Sequence, residues 1–270
     1  MNSRDAQDVI LRLLADGPFR AAALGSLGPP AAEVAAVVSR VDGAALDRFG
    51  RFLCRHYYRE RVVHYFKYSR ALAPLTGRPP EATLKTPEFT ALIPRLVLGE
   101  RASAQMVLDL LQSQLLEAAG PVRMKVPYWD DLIAYQRAFF LSDALPPPAA
   151  GAMPFPARAE TATILEMGWD LPAVLPLLLR PFQELPMPSQ TPTRLLFARS
   201  QHGEVTALRC TDALKSLLEN LTGQENPYQV AARMGLETAT FDKTLRQLEQ
   251  LGAIVAQESF SASHVGSEQP

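Results

Sequence analysis

The strongest candidate for metal chemistry is a row of three residues, His56, Glu60 and His64, spaced four apart in one predicted helix. This spacing places all three side chains on one helix face, and imidazole and carboxylate are common metal ligands. At ~1.5 Å rise per residue the two histidines lie about 12 Å apart, which is too far for a single ion. We interpret the row as a polar helix face or interface. The alternative is part of a site that another helix completes.

The two cysteines, Cys54 and Cys210, are the candidates for nucleophilic chemistry. Each lies in an apolar pattern, and Cys210 has no base nearby in sequence, so both are predicted to be reduced, inert core thiols. Nucleotide-binding glycine loops, the nucleophile elbow, Cys-x-x-Cys and His-Glu-x-x-His are all missing, and the sequence has only four histidines. Helical di-iron proteins use Glu-x-x-His pairs, and this sequence has none. We therefore predict no catalytic residue, no metal and no cofactor in this chain.

Composition predicts an ordinary globular protein of one large or two modest domains, because 47% of the 270 residues are hydrophobic. Lysine and arginine number 27 against 28 aspartates and glutamates. This balance argues against a protein devoted to nucleic acid or to an acidic membrane surface. The first residues lack the apolar run of a signal peptide, and the longest apolar cluster, 171–179, contains two prolines. We expect a cytoplasmic protein that does not bind membranes.

Residues 1–145 are predicted to form an all-helical domain. Apolar residues recur at helical spacing in six segments, namely 3–15, 31–40, 44–73, 88–97, 101–118 and 128–144. The pair Gly17-Pro18 is predicted to end the first helix, and 120–127 to form a loop. In the longest helix the predicted apolar face consists of Leu46, Phe49, Leu53, Tyr57, Val63 and Phe66.

Five prolines between 146 and 156 indicate a linker, which we place at 146–160. Beyond it, 161–257 is predicted to form a second domain, and 258–270 a disordered polar tail. The predicted elements of this domain are a strand at 161–168, a short helix at 171–179, a hairpin of 194–199 with 205–209, helices at 212–222, 227–234 and 238–251, and a short strand at 253–256. The predicted fold class is α+β, mostly α, with a C-terminal winged helix-turn-helix-like domain of a β-hairpin and three helices.

One family with this pattern places its third helix in the DNA major groove, where exposed side chains bind bases and phosphates. In the third helix here, Asp242 and Glu249 offset Lys243 and Arg246. A neutral helix binds phosphate poorly, so we predict no nucleic-acid partner. A winged-helix transcriptional regulator remains the first alternative.

The C-terminal residues resemble another family more closely. Residues 193–256 are similar to the PqqD-like recognition element for precursors of ribosomally synthesised and modified peptides, in the segments 195–209, 213–221, 230–235 and 248–255. The resemblance implies that a leader peptide adds a strand to the sheet, with a neighbouring helix supplying side-chain pockets. The predicted peptide-binding residues are Val205, Thr206, Ala207, Leu208, Arg209, Thr244, Gln247, Leu248 and Leu251.

Three segments of the N-terminal half carry a second resemblance, namely 55–70, 84–89 and 127–136. They are similar to the helical partner proteins of multinuclear non-haem iron oxidative enzymes (MNIOs), of the TglI-like type in thiaglutamate (pearlin) biosynthesis. The resemblance implies that iron, and the oxidation of a cysteine in the precursor peptide, belong to the partner enzyme. A helical non-haem iron oxygenase is the second alternative.

A basic ridge at helical spacing, Arg48, Arg51, Arg55 and Arg59, is the predicted surface for docking that partner. The predicted docking residues are Arg51, Arg55, Tyr58 and Arg59. The alternatives for this ridge are a solvated helix face and a nucleic-acid contact.

Overall fold

The computed structural model describes residues 3–25, 32–117, 119–144 and 153–256. The described chain is mostly helical with a small antiparallel sheet, as the sequence predicts. It forms two compact units. The helical unit comprises Met1–Ile133 and Leu175–Pro186, and the mixed unit comprises Ala134–Val174 and Met187–Pro270. The predicted disordered tail, 258–270, lies outside the described residues.

The helical unit contains ten short to medium helices and the start of an eleventh within the described residues. They are α1 (Ser3–Ala15), α2 (Gly17–Ala23), α3 (Ala32–Val38), α4 (Gly43–Tyr65), α5 (Lys67–Ala71), α6 (Ala73–Thr76), α7 (Pro87–Leu92), α8 (Arg101–Glu117), α9 (Ala119–Lys125), the start of α10 (Trp129–Ala144), and α11 (Leu175–Leu178). Two 3-10 turns, Pro80–Lys85 and Ile93–Arg95, flank α7.

Two local predictions in this unit were wrong, and one helix was not predicted. The first helix ends at Ala15, as predicted, but Pro18 then occupies the first turn of a second helix, α2, where Asp16 caps the helix by accepting from the N–H of Phe19 at 2.8 Å. The predicted loop 120–127 contains α9. The predicted helix 44–73 is interrupted at Phe66, which leaves helical geometry while its ring stays 1% exposed.

The buried face of α4 consists of Gly50, Cys54, Tyr58 and Val62, one residue per turn. The prediction that Phe49 faces inward was wrong, since it is 50% exposed. The reason is Arg20, whose buried guanidinium packs against Gly50 so closely that a Cβ there would collide with it. At Gly50, therefore, only glycine leaves room for the guanidinium on the inner face of the helix.

The mixed unit contains the rest of α10 and all of the described strands. In chain order these elements are β1 (Ala157–Arg158), β2 (Thr163–Met167), a 3-10 turn (Leu171–Ala173), β3 (Thr193–Arg199), β4 (Val205–Arg209), α12 (Asp212–Asn220), α13 (Pro227–Arg233), α14 (Thr238–Gln250) and β5 (Ile254–Val255). The strand order is β2-β3-β4, all antiparallel, and β1 pairs separately with β5. The predicted hairpin is confirmed, and the predicted strand at 161–168 joins it as β2.

The central strand, β3, is buried on both faces, which explains its continuous apolar run Leu-Leu-Phe-Ala. On one face Leu196 and Ala198 join an apolar cluster with α12, α13 and α14. On the other face the ring of Phe197 packs against Tyr135 and Phe139 of α10, with centroids 5.6 and 5.2 Å away.

These contacts explain why the units divide differently from the predicted boundary at 146–160. The division falls after Ile133, inside α10, because the following residues of that helix pack on β3. Residues 175–186 return to the helical unit, where the Tyr128 hydroxyl donates to the carbonyl of Pro186 at 2.8 Å. Part of the predicted linker is strand β1, which pairs Ala157 with Val255. Within the described ranges, no helix combines the length and apolarity needed to cross a membrane.

Candidate functional site

The strand β4 forms one edge of the three-stranded sheet. It pairs with β3 on its inner side, from Leu195 opposite Arg209 to Arg199 opposite Val205. Among the residues that the structure describes, no strand pairs with its outer side. An unpaired edge is a template on which another chain can add a strand.

The hydrogen-bonding pattern decides which main-chain groups of this edge face outward. Immediately after β4, the N–H of Cys210 donates to the carbonyl of Arg194 at 2.9 Å. Bonded and non-bonded pairs alternate along an antiparallel ladder, so Thr206 and Leu208 bond to β3. The N–H and C=O groups of the alternate residues point outward, namely Val205, Ala207 and Arg209.

The side chains of β4 give this edge a mostly apolar character. Leu208 packs against the cluster that α12, α13 and α14 build, and Val205, Thr206 and Ala207 are half-buried. Only Arg209 is exposed in β4. A guest strand would therefore meet free main-chain groups beside half-buried apolar side chains.

An ion pair marks the carboxyl end of the edge. The Nη2 of Arg209 donates to both carboxylate oxygens of Asp170, at 2.7 and 2.9 Å. The N–H of Asp170 donates to the carbonyl of Ser189 at 3.0 Å. Because the Arg209 side chain is 58% exposed, this pair contributes little to stability, about 0–1 kcal/mol, and can exchange partners with a guest.

Of the predicted peptide-binding residues on α14, one requires a correction. Leu248 is 3% exposed and belongs to the apolar cluster, because α14 turns Phe241, Leu245 and Leu248 inward. Its side chain is part of the core and is not available to a guest. Gln247 is exposed, while Leu251 and Thr244 are half-buried. These three stay predictions.

A cluster of charged side chains lies at the end of the sheet, and it was not predicted from the sequence. Arg194 bonds to Asp212 and, at 2.9 Å, to Glu166, which also accepts from Lys215 at 2.9 Å. Hydrogen bonds from Lys215 and Arg194 lower the pKa of Glu166. The residues come from β2, β3 and α12, so only the folded topology brings them together.

Both cysteines lie in environments that favour the neutral thiol. Burial raises the pKa of Cys54 to about 11, although Arg20 and Arg55 act in the opposite direction. Burial also raises the pKa of Cys210, which lines a cavity of about 440 Å³ beside the charge cluster. A protonated thiol is a poor nucleophile and a poor metal ligand at neutral pH.

The predicted docking ridge on α4 is only partly exposed. Tyr58 requires a correction, because it is 1% exposed and its ring packs edge-on against Phe89 at 6.2 Å. Burial raises its pKa as well. Arg51 bonds to Asp47 at 2.7 Å, and the half-buried Arg55 donates to Thr90 at 2.8 Å.

Arg59 is exposed and borders a groove of about 420 Å³ between α4 and the turn Pro80–Lys85. We call this feature the α4 groove. Its lining residues are Phe52, Arg55, His56, Arg59, Glu81, Leu84 and Lys85.

The histidine row predicted on α4 does not converge. His56 stacks on Phe52 with centroids 6.0 Å apart, and His64 contacts Tyr65 edge-on at 4.6 Å. Across the part of the chain that is described, no three histidine, cysteine, aspartate or glutamate side chains are grouped as metal ligands.

No protein-family model matches the sequence, and no curated protein matches it. A function can therefore be proposed only from the structure and the sequence pattern. The two structural features on which we base it are the β4 edge and the α4 groove.

Proposed function

We propose that this chain is a non-catalytic partner subunit that binds a ribosomal precursor peptide and presents it to an MNIO-type iron enzyme. The observation that carries the proposal is the outer edge of β4, with three residues whose main-chain groups point away from the sheet. The sheet of three strands followed by three helices supports the same proposal, because it is the arrangement expected of the recognition element that 193–256 resembles.

The guest peptide binds as a fourth strand. Val205, Ala207 and Arg209 each offer one donor and one acceptor at a spacing that matches every second residue of an extended chain. Each bond that forms contributes about 0.5–1.5 kcal/mol, so main-chain pairing alone supplies several kcal/mol. In this proposal, side chains of α14, including Gln247 and Leu251, select among peptides.

Presentation works through proximity. A peptide held by its leader keeps its reactive end near the partner's active site at an effective concentration in the millimolar range. Iron and the oxidation of a precursor cysteine belong to the partner enzyme, and the exposed surface of α4 provides the docking site. The complex acts in the cytoplasm, where precursor peptides are made.

The direct test is calorimetric titration of the purified full-length chain with a short precursor peptide encoded beside its gene. We expect binding at micromolar affinity or tighter, and loss of binding when the leader is removed. If no candidate peptide gives heat while duplex DNA binds with a steep salt dependence, the chain is a DNA-binding regulator and the proposal is wrong.

A further inference from the structure

Three aromatic rings form an exposed stripe along α4. Phe49 and Phe52 are 50% and 59% exposed, although burying a phenylalanine is worth about 1.5–3 kcal/mol. The two rings stack with centroids 6.2 Å apart, and His56 continues the stack on Phe52 at 6.0 Å. Adjacent exposed apolar side chains with a polar surround are typical of an interaction surface.

Positive charge surrounds this stripe. Arg48, Arg59 and Lys85 are exposed, and within the described residues none of the three is in an ion pair. Glu81 is the one carboxylate among the residues that line the α4 groove, and Arg70 already neutralises it through a bond of 3.0 Å. The rim of the groove is therefore cationic, and its floor contains Phe52 and the buried Leu84.

The size of the groove limits its occupant. About 420 Å³ is near the lower end of the range of ligand pockets, roughly 300–1,000 Å³. Such a volume holds one or two side chains of a docking segment and not a whole helix.

We propose that the α4 groove receives an acidic segment of a partner protein, which inserts one apolar or aromatic side chain between Phe52 and Leu84. The inference rests on the proposed function, because it specifies the chemistry by which the partner enzyme docks. Carboxylates of the segment pair with Arg48, Arg59 and Lys85, while its inserted side chain covers the aromatic stripe.

An acidic protein segment fits this surface better than nucleic acid does. Arg51 and Arg55 are already bonded to Asp47 and Thr90, which leaves a small number of free cations for phosphates. The whole chain has a net charge of -1, so it lacks the broad positive field that draws a polyanion.

The test uses a fluorescein-labelled nonapeptide of aspartate and glutamate with one central phenylalanine, titrated into the full-length chain and followed by anisotropy. We expect Phe52→Ser and Arg59→Glu each to weaken binding at least tenfold, and salt to weaken it further. Matched controls are Met124→Ser, at a position 87% exposed, and Arg101→Glu, at an exposed position of α8; neither should change the affinity.

Three outcomes would overturn the inference. One is equal binding of a peptide in which lysine replaces every acid, and another is stronger binding of a single-stranded oligonucleotide. The third is a concentration-dependent dimer that Phe52→Ser abolishes, since the occupant would then be a second copy of this chain.

Failure of this inference is distinguishable from failure of the proposed peptide binding. Ala207→Pro changes the β4 edge and should leave binding of the acidic nonapeptide unchanged. If Phe52→Ser has no effect on the nonapeptide while Ala207→Pro weakens precursor binding, only the groove inference fails. If Phe52→Ser weakens nonapeptide binding while Ala207→Pro leaves precursor binding unchanged, only the role of the β4 edge is refuted.

Discussion

Replacing Ala207 by proline tests the β4 edge at its centre. The N–H of Ala207 points outward, so proline removes a donor that a guest would use while the ladder with β3 keeps its bonds. Loss of that bond costs about 0.5–1.5 kcal/mol, and the guest carbonyl left without a donor adds to this. With a total of roughly 2 kcal/mol, precursor affinity should fall about 30-fold.

The matched control is Thr206→Pro, one residue earlier. The N–H of Thr206 bonds to β3, so this substitution breaks the ladder and should lower the melting temperature strongly. Ala207→Pro should melt within a few degrees of the wild type. Calorimetry with the precursor and thermal denaturation measure both effects. Unchanged precursor affinity in a folded Ala207→Pro variant, or equal loss of stability in both variants, would refute the assigned bonding pattern.

Three further predictions concern the helical unit and the two thiols. Gly50→Ala should lower the free energy of unfolding by about 1–3 kcal/mol in urea denaturation, because the added methyl group collides with the buried guanidinium of Arg20. The control is Gly120→Ala, which should not lower this free energy, because a Cβ at Gly120 meets no neighbour within 4 Å. Cys54 and Cys210 should react with a thiol reagent at pH 8 only after denaturation, because burial raises both pKa values; rapid reaction of the native chain would contradict this. Burial raises the pKa of Asp47, but its bonds and ion pairs with two arginines outweigh burial and hold the pKa below its ordinary value. Its stabilising contribution is therefore present above about pH 4 and lost as pH falls through the folded pKa, so acid should destabilise Asp47→Asn less steeply than the wild type.

The hairpin and the three helices of the mixed unit could be predicted because their signals are local. The turn around Gly203, which has a φ of 87°, and the caps Thr211 and Asn226 each lie next to the element that they define. The hairpin and the three helices therefore appear within a few residues of their predicted bounds.

The orientation of α4 could not be predicted, because it depends on a residue far away in sequence. Leu46, Phe49 and Leu53 have the spacing of a buried face. Arg20, however, packs against Gly50, so the helix face that contains Gly50 is the buried one. That rotation buries Tyr58 and exposes Phe49. Periodicity counts apolar residues and contains no information about a buried arginine on another helix.

Only part of the candidate sites could be predicted, because the rest again depends on residues far apart in sequence. The edge residues Val205 to Arg209 follow from the hairpin pattern, but the partner of Arg209, Asp170, lies 39 residues earlier. The cluster of Glu166, Arg194 and Lys215 likewise joins elements distant in sequence. Side-chain pairs of this kind depend on sheet order, which local pattern does not specify.

Amide hydrogen exchange measured residue by residue, with and without the precursor peptide, tests the open edge most directly. In the free chain the amides of Val205, Ala207 and Arg209 should exchange quickly, and those of Thr206 and Leu208 slowly. Adding the precursor should protect the first three and leave the other two unchanged. If the outward amides are already protected in the free chain, or stay unprotected when the precursor is bound, the guest does not pair with this edge.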